Sequence, residues 1–250
     1  MDTGRPGTPG LPADVAGLLT ALKREPGRPR LTWYGPGGER VELSGHVLDN
    51  WVAKTANLMV EELDVGPGST VALDLPVHWR TAVWALAAWR VGAAVDVGRG
   101  DAGVDVLVTD HPGDASRGAD AVVAVELSAL ARRFAGDLPV GAIDAASAVM
   151  TYGDVLGWSP PTDPTAVALL PGGPSFADLV ARAAAGTQPG ARSLLAEDDV
   201  ATGLLHLLGA WAGDGSVVLL APEVARELAA DPARLERLIA SERVTWSVGF

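Results

Sequence analysis

Apolar runs of five or six residues alternate with helical stretches along nearly the whole chain, and that order implies a mainly parallel sheet covered by helices. Strands are expected at 70–75, 93–97, 104–109, 121–125, 165–170, 216–221 and 244–248. The most regular helix spans 45–63, where Val47, Leu48, Trp51, Val52, Leu58, Met59 and Leu63 recur at the three-four spacing of one buried face behind a Ser44 cap. The stretch 78–91 is apolar on most sides, as in a helix buried against a sheet. Further helices are expected at 12–24, 175–185, 199–212, 223–230 and 233–241, with a short helical stretch at 128–134. Leu31-Thr-Trp-Tyr34 and Arg40-Val-Glu-Leu43 flank Gly35-Pro-Gly-Gly38 and read as a hairpin.

Three segments follow from this pattern. Residues 1–28 are expected to be a partly disordered N-terminal segment with a short helix, because the first ten are rich in Pro and Gly. The Pro-rich stretch 157–164 divides a first α/β lobe, 29–160, from a second, 161–250. The chain stops just after an apolar strand with no capping helix, which is expected of the front half of something larger.

Composition narrows the function classes. A formal charge of -12 repels phosphate backbones and anionic lipid heads, so neither nucleic acid nor a membrane is an expected partner. With no Cys there is no disulfide framework, thiolate nucleophile or cysteine metal site. The N-terminus lacks the basic start and apolar run of a signal peptide, so a cytoplasmic location is the default. Lys23 and Lys54 are the only lysines, both near the N-terminus, and any lysine-dependent mechanism would have to use one of them.

The segment 164–182 carries the sharpest functional signal. An apolar run leads into Pro171-Gly172-Gly173 and then a helix, an arrangement that offers backbone N–H groups and a positive dipole end to an anion. Triphosphate chemistry also needs hydroxyls and a cation there, and only Ser175 supplies a hydroxyl. Other constellations are weaker. The glycine pattern at 98–103 matches a dinucleotide fingerprint but precedes a strand rather than a helix, so it reads as a turn. His46, His78, His111 and His206 are scattered without metal-ligand spacing, although His46 and Asp49 share one helical turn. His206, flanked by leucines, reads as a core or boundary imidazole. Trp79, Trp84 and Trp89 do not share one helical face and are expected to pack in the core. No Gly-x-Ser-x-Gly elbow occurs.

Glu42-Leu43-Ser44, then Leu63-Asp-Val-Gly66-Pro67-Gly68, then Ala85-Leu-Ala-Ala-Trp-Arg-Val-Gly92, resemble the opening of the adenylate-forming (AMP-dependent synthetase/ligase) superfamily, which includes the acyl-CoA synthetases. Leu207-Leu-Gly-Ala-Trp-Ala-Gly213, Ser216-Val-Val-Leu-Leu220 and the stretch 231–245 are similar to a later part of the same family, in the same order. The resemblance covers about half of the chain and implies mainly parallel sheets flanked by helices. It also implies that the segment 170–179 stands where the family grips ATP phosphates with a Ser/Thr/Gly run ending in Pro-Lys. Here Asp178 and Leu179 occupy the Pro-Lys positions, leaving Gly172, Gly173 and Ser175 as a nucleotide-binding remnant.

The resemblance therefore implies a stand-alone, truncated and non-catalytic member, more a binder than an enzyme. No catalytic residue, metal ligand or cofactor is expected, and ATP, AMP or coenzyme A would bind only if the family cleft survives. Its partner would be another protein, a second copy, or a small acyl or nucleotide-like ligand. The alternative is half of a split ligase completed by a partner chain.

Overall fold

The computed structural model describes residues 10–98, 104–114 and 118–249. The first nine residues and most of the 98–103 glycine pattern lie outside that range. In chain order the elements begin α1 (Val15–Leu22), β1 (Pro29–Tyr34), β2 (Arg40–Ser44), α2 (Gly45–Glu61), β3 (Thr70–Asp74), α3 (Trp79–Arg90) and β4 (Ala94–Asp96). They continue with β5 (Val106–Thr109), β6 (Ala121–Ala124), β7 (Ile143–Asp144), α4 (Ala145–Ala148), β8 (Leu169–Leu170) and α5 (Leu179–Ala184). The last are β9 (Arg192–Leu195), α6 (Val200–Ala212), β10 (Ser216–Leu220), α7 (Pro222–Ala230), α8 (Pro232–Glu242) and β11 (Trp246–Val248).

Among the described residues the strands form two sheets, one ordered β11-β9-β10-β1-β2 and the other β7-β6-β5-β3-β4-β8. Every pairing is parallel except the β1–β2 hairpin. The architecture is α/β with mainly parallel sheets flanked by helices, as the alternation requires. Both sheets draw strands from either side of the Pro-rich stretch: β1 and β2 join β9, β10 and β11, while β8 joins the sheet built by β3 to β7.

Local chemistry sets the helix ends. Asp14, Ser44, His78, Asp144, Asp199 and Asp231 each accept a backbone N–H from the first turn of the helix that follows, which satisfies donors with no partner inside the helix. Helix α3 is buried from Trp79 through Trp89 because it packs between the second sheet and helices α1, α2 and α6. Its run of alanines lets those neighbours approach, and each fully buried Leu or Val there contributes about 1.5–3 kcal/mol. Trp89 and Trp211 bury their rings and still satisfy their N–H groups, on the carbonyls of Ala168 at 2.6 Å and Arg30 at 2.9 Å. Trp79, Trp84 and Trp89 all lie in the core, at 2–3% exposure.

Helix α8 is attached differently. None of its residues is fully buried. Glu242 at its end instead accepts the Tyr34 hydroxyl at 2.5 Å, the Arg40 guanidinium at 3.1 Å and the Arg192 guanidinium, tying the helix to β1, β2 and β9. Burial alone would raise the Glu242 carboxyl pKa, but the Tyr34, Arg192 and Arg40 hydrogen bonds hold it below the usual range.

Several expected elements are shorter or absent. The run 165–170 forms a strand only at Leu169–Leu170, since Thr165 begins in a turn and Val167 makes an isolated antiparallel bridge to Ser175. The following helix starts at Leu179 rather than 175, because the main chain from 173 to 178 is folded back on 164–169. The stretch 128–134 is turns, with Ala129 N–H bound by the Glu39 carboxylate and Phe134 N–H by Asp144. Strand β9, with Arg192 and Ser193 interrupting its apolar signal, was not anticipated.

Candidate functional site

Gly172, Gly173 and Ser175 lie together in a compact turn that is closed on itself. Gly172 sits at φ 67°, and a Cβ on Gly173 would lie 2.5 Å from the Leu169 carbonyl, so the turn demands glycine at both positions. Pro171 and Pro174 have no N–H. The amides of Gly173, Phe176 and Ala177 donate to the carbonyls of Leu169, Ala166 and Pro164 at 2.9–3.0 Å. Asp178 N–H donates to the carbonyl and hydroxyl of Ser175. The Ser175 hydroxyl in turn donates to the Asp178 carboxylate at 2.8 Å. The groove alongside, about 440 Å³, carries Asp178 and Arg182 on its walls. A phosphate would meet a carboxylate, one guanidinium and few free amides.

A second concavity lies at the carboxyl ends of strands from both sheets. Trp33 is the next-to-last residue of β1, Pro76 to His78 follow β3, Asp110 follows β5, Leu127 and Ser128 follow β6, and Ala221 to Glu223 follow β10. They enclose a cleft of about 440 Å³. Parallel α/β folds characteristically bind ligands at this edge, where strand ends and helix starts leave a crevice. Glu39, Asp110 and Glu223 supply its charge, and no Lys or Arg is among its lining residues.

The cleft walls are held by specific bonds. Glu39 accepts the Trp33 indole N–H at 3.2 Å through one oxygen and Ala129 N–H at 2.7 Å through the other, clamping the hairpin to the segment after β6. A Cβ on Gly35 would lie 2.5 Å from the Glu39 oxygen that accepts the Trp33 indole N–H, so only glycine permits the clamp. His78 packs edge-on to Trp33 with ring centres 4.4 Å apart. Its Nδ1 accepts the Arg80 N–H at 3.1 Å as the cap of α3, which leaves the proton on Nε2. Burial, together with the neighbouring Arg80 charge, pushes the His78 imidazole down to about 3, so it is neutral at physiological pH.

Arg80 stands behind the wall. Its guanidinium lies 4.3 Å over the Trp79 ring and donates to the carbonyls of Ser128 and Ala129 at 3.2 and 3.3 Å. Burial pulls its pKa down to about 10 against the opposing pull of Glu39 and Glu126. Burial would raise the Glu126 carboxyl pKa, but bonds from Ser128 and Ala135 N–H and the Arg80 charge keep it below the usual range.

With that geometry in view, no family model matches the chain. A curated TIGR03089 family protein of Mycobacterium tuberculosis (strain ATCC 25618 / H37Rv) is 37% identical over 249 residues, an alignment covering 94% of this chain and 98% of that protein. The chain belongs to that family. Among solved structures, this family member is similar to an acyl-CoA synthetase from Brucella canis, with a TM-score of 0.67, 18% identity and 90% of this chain covered. At that identity the likeness is one of fold, and the chain spans about half, 47%, of the synthetase's length.

The structure puts the sequence-selected residues into one loop and leaves the histidines apart. Exposed His46 makes no centre with Asp49, whose carboxylate takes the Lys23 ammonium at 2.7 Å. Among the described residues no group of three or more His, Asp or Glu side chains is arranged to hold a metal. Likewise, no helix is long and apolar enough to cross a membrane. Sequence reasoning missed the cleft residues Trp33, Glu39, His78, Asp110 and Glu223. A usable signal was present, since His78, Asp110 and Glu223 each follow an expected strand and Trp33 and Glu39 flank the hairpin turn, so gathering strand-end residues would have assembled most of the set.

Proposed function

We propose that this family member is a non-catalytic binding protein with an adenylate-forming-type fold, whose ligand site is the strand-end cleft rather than the 170–179 loop. The observation that carries this reading is the loop's hydrogen bonding. The Gly173, Phe176, Ala177 and Asp178 amides are committed to the loop's own main chain, Pro171 and Pro174 have none to offer, and its one hydroxyl is bound to Asp178. Adenylation expels pyrophosphate from a triphosphate, which requires oriented donors and cations around the phosphates. Arg182 alone, beside Asp178, is a poor substitute for that set. The acidic strand-end cleft likewise disfavours phosphates and carboxylates and favours a neutral or cationic small molecule, or a basic side chain of a partner protein. A phosphate-incompetent relative of the synthetases is consistent with these features.

The test is thermal stability with Mg-ATP, AMP, coenzyme A, short carboxylates and short amines, since a ligand of the native state raises the midpoint by mass action. The expected outcome is no shift with ATP or AMP and a shift with neutral or cationic compounds. Conversion of ATP to AMP by the purified chain would overturn the non-catalytic reading. Turnover only on adding a second polypeptide would favour the split-ligase alternative.

A further inference from the structure

A smaller chamber lies on the inner side of the Arg80 wall. Its volume is about 20 Å³, and its lining includes Trp51, Thr55, Trp79, Arg80, Glu126 and Val149. Three polar atoms of residues lining it, Thr55 Oγ1, Trp79 Nε1 and Arg80 Nε, are fully buried and have no hydrogen-bond partner. The residues that carry them are 1%, 2% and 8% exposed. A buried donor left unpaired costs about 1–3 kcal/mol, so three such atoms on residues that line one chamber call for a shared partner.

We infer that this chamber binds one single-atom hydrogen-bond acceptor, the oxygen of a water or a halide ion. Size sets the first limit, because a chamber of about 20 Å³ holds one water-sized occupant and no polyatomic anion or organic ligand. Donor chemistry sets the second. The indole and the guanidinium can only donate, so the occupant must accept at least twice, while the Thr55 hydroxyl can either donate or accept. Glu126 distinguishes the two sources. Its carboxylate repels a halide but can accept a proton from a water, and so can Thr55, which lets a water meet four partners. Water is therefore the expected occupant.

The consequence reaches the cleft. Fixing Arg80 Nε fixes the plane of the guanidinium, and the same guanidinium holds the carbonyls of Ser128 and Ala129 in the cleft wall. The acceptor thus positions the wall, whatever the cleft binds.

Proton NMR on the full chain tests this at the Trp79 indole N–H. The expected result is a cross-peak between that proton and water, with the sign of a long-lived bound molecule, and no change on adding bromide. Thr55→Val keeps the shape, removes any relay through the hydroxyl, and is expected to leave the cross-peak while indole N–H exchange speeds up about tenfold. Thr55→Ser, which restores a hydroxyl, is expected to return exchange to the wild-type rate. A saturating bromide-dependent shift without the water cross-peak would assign the site to a halide instead. No cross-peak in either protein together with no bromide shift would overturn the site.

Discussion

The loop at 170–179 and the cleft at the strand ends are both concave and both border strands, yet they use their polar groups in opposite ways. The loop turns most of its polar groups inward: the Gly173, Phe176, Ala177 and Asp178 amides bond to 164–175 and the Ser175 hydroxyl to Asp178. The cleft spends polar groups on its walls, with Glu39 and Arg80 clamping them from two sides, and keeps the intervening space open. A glycine-rich turn is therefore not by itself an anion cradle. Whether its N–H groups are free depends on what the neighbouring chain does with them.

The largest effect that would separate the two regions belongs to the cleft floor. Trp33→Ala removes a ring that is 3% exposed and packed on His78, and is expected to cost about 4 kcal/mol, read by urea unfolding. Arg80→Met keeps much of the stacking on Trp79 but strands two wall carbonyls. A loss of about 2 kcal/mol is expected, and a loss below a few tenths would mean the wall does not need the clamp.

His78 gives a pH signature. Its folded value, about 3, lies below the unfolded value near 6.5, so the unfolded chain takes up the proton first. The stabilisation is full above about pH 6.5 and is lost as pH falls from there toward 3, at on the order of 1 kcal/mol per unit. His78→Asn retains a capping acceptor for Arg80 N–H but does not titrate. Its unfolding midpoint is expected to be flatter between pH 6.5 and 4.5, before the carboxylates Glu126 and Glu242 begin to protonate. An unchanged slope would show that His78 is not the group responsible.

The smallest effect sharpens the comparison from the loop side. Asp178→Asn lies on an exposed turn and keeps an acceptor for Ser175, so stability should stay within about 0.5 kcal/mol. It should also leave Mg-ATP binding undetectable in calorimetry, because the Gly173, Phe176, Ala177 and Asp178 amides remain committed. Restored binding in this variant would mean that the Asp178 charge, and not the amides, is what excludes phosphate.

The sequence made the scaffold legible where signals were long and periodic. Helix α2 and buried α3 were readable from residue spacing, and β3, β5, β6 and β10 from continuous apolar runs. It was less informative wherever tertiary hydrogen bonds overrode local preference. The apolar run 165–170 looked like one strand, but Phe176 and Ala177 N–H draw its start into a fold-back turn, leaving two residues paired with β4. The stretch 128–134 had helical composition, yet Glu39 and Asp144, distant in sequence, take the N–H groups of Ala129 and Phe134. The loop glycines were visible one by one, whereas the commitment of the Gly173 amide to Leu169 was not. The cleft was hidden for a related reason: Trp33, His78, Asp110 and Glu223 come from separate strand ends, gathered within each sheet by the pairing of β1 with β10 and of β3 with β5 and joined across the sheets by the packing of Trp33 on His78.

The most direct measurement of the central claim follows the backbone amide resonances of Gly172, Gly173, Ser175, Phe176 and Ala177 in labelled protein as Mg-ATP is added. With Gly173, Phe176 and Ala177 committed to their own chain and Asp178 beside the turn, no saturating shift is expected at millimolar nucleotide. Saturating shifts at Gly172, Gly173 and Ser175 would show that the loop opens to hold phosphate, and would contradict the assignment of the ligand site to the strand-end cleft.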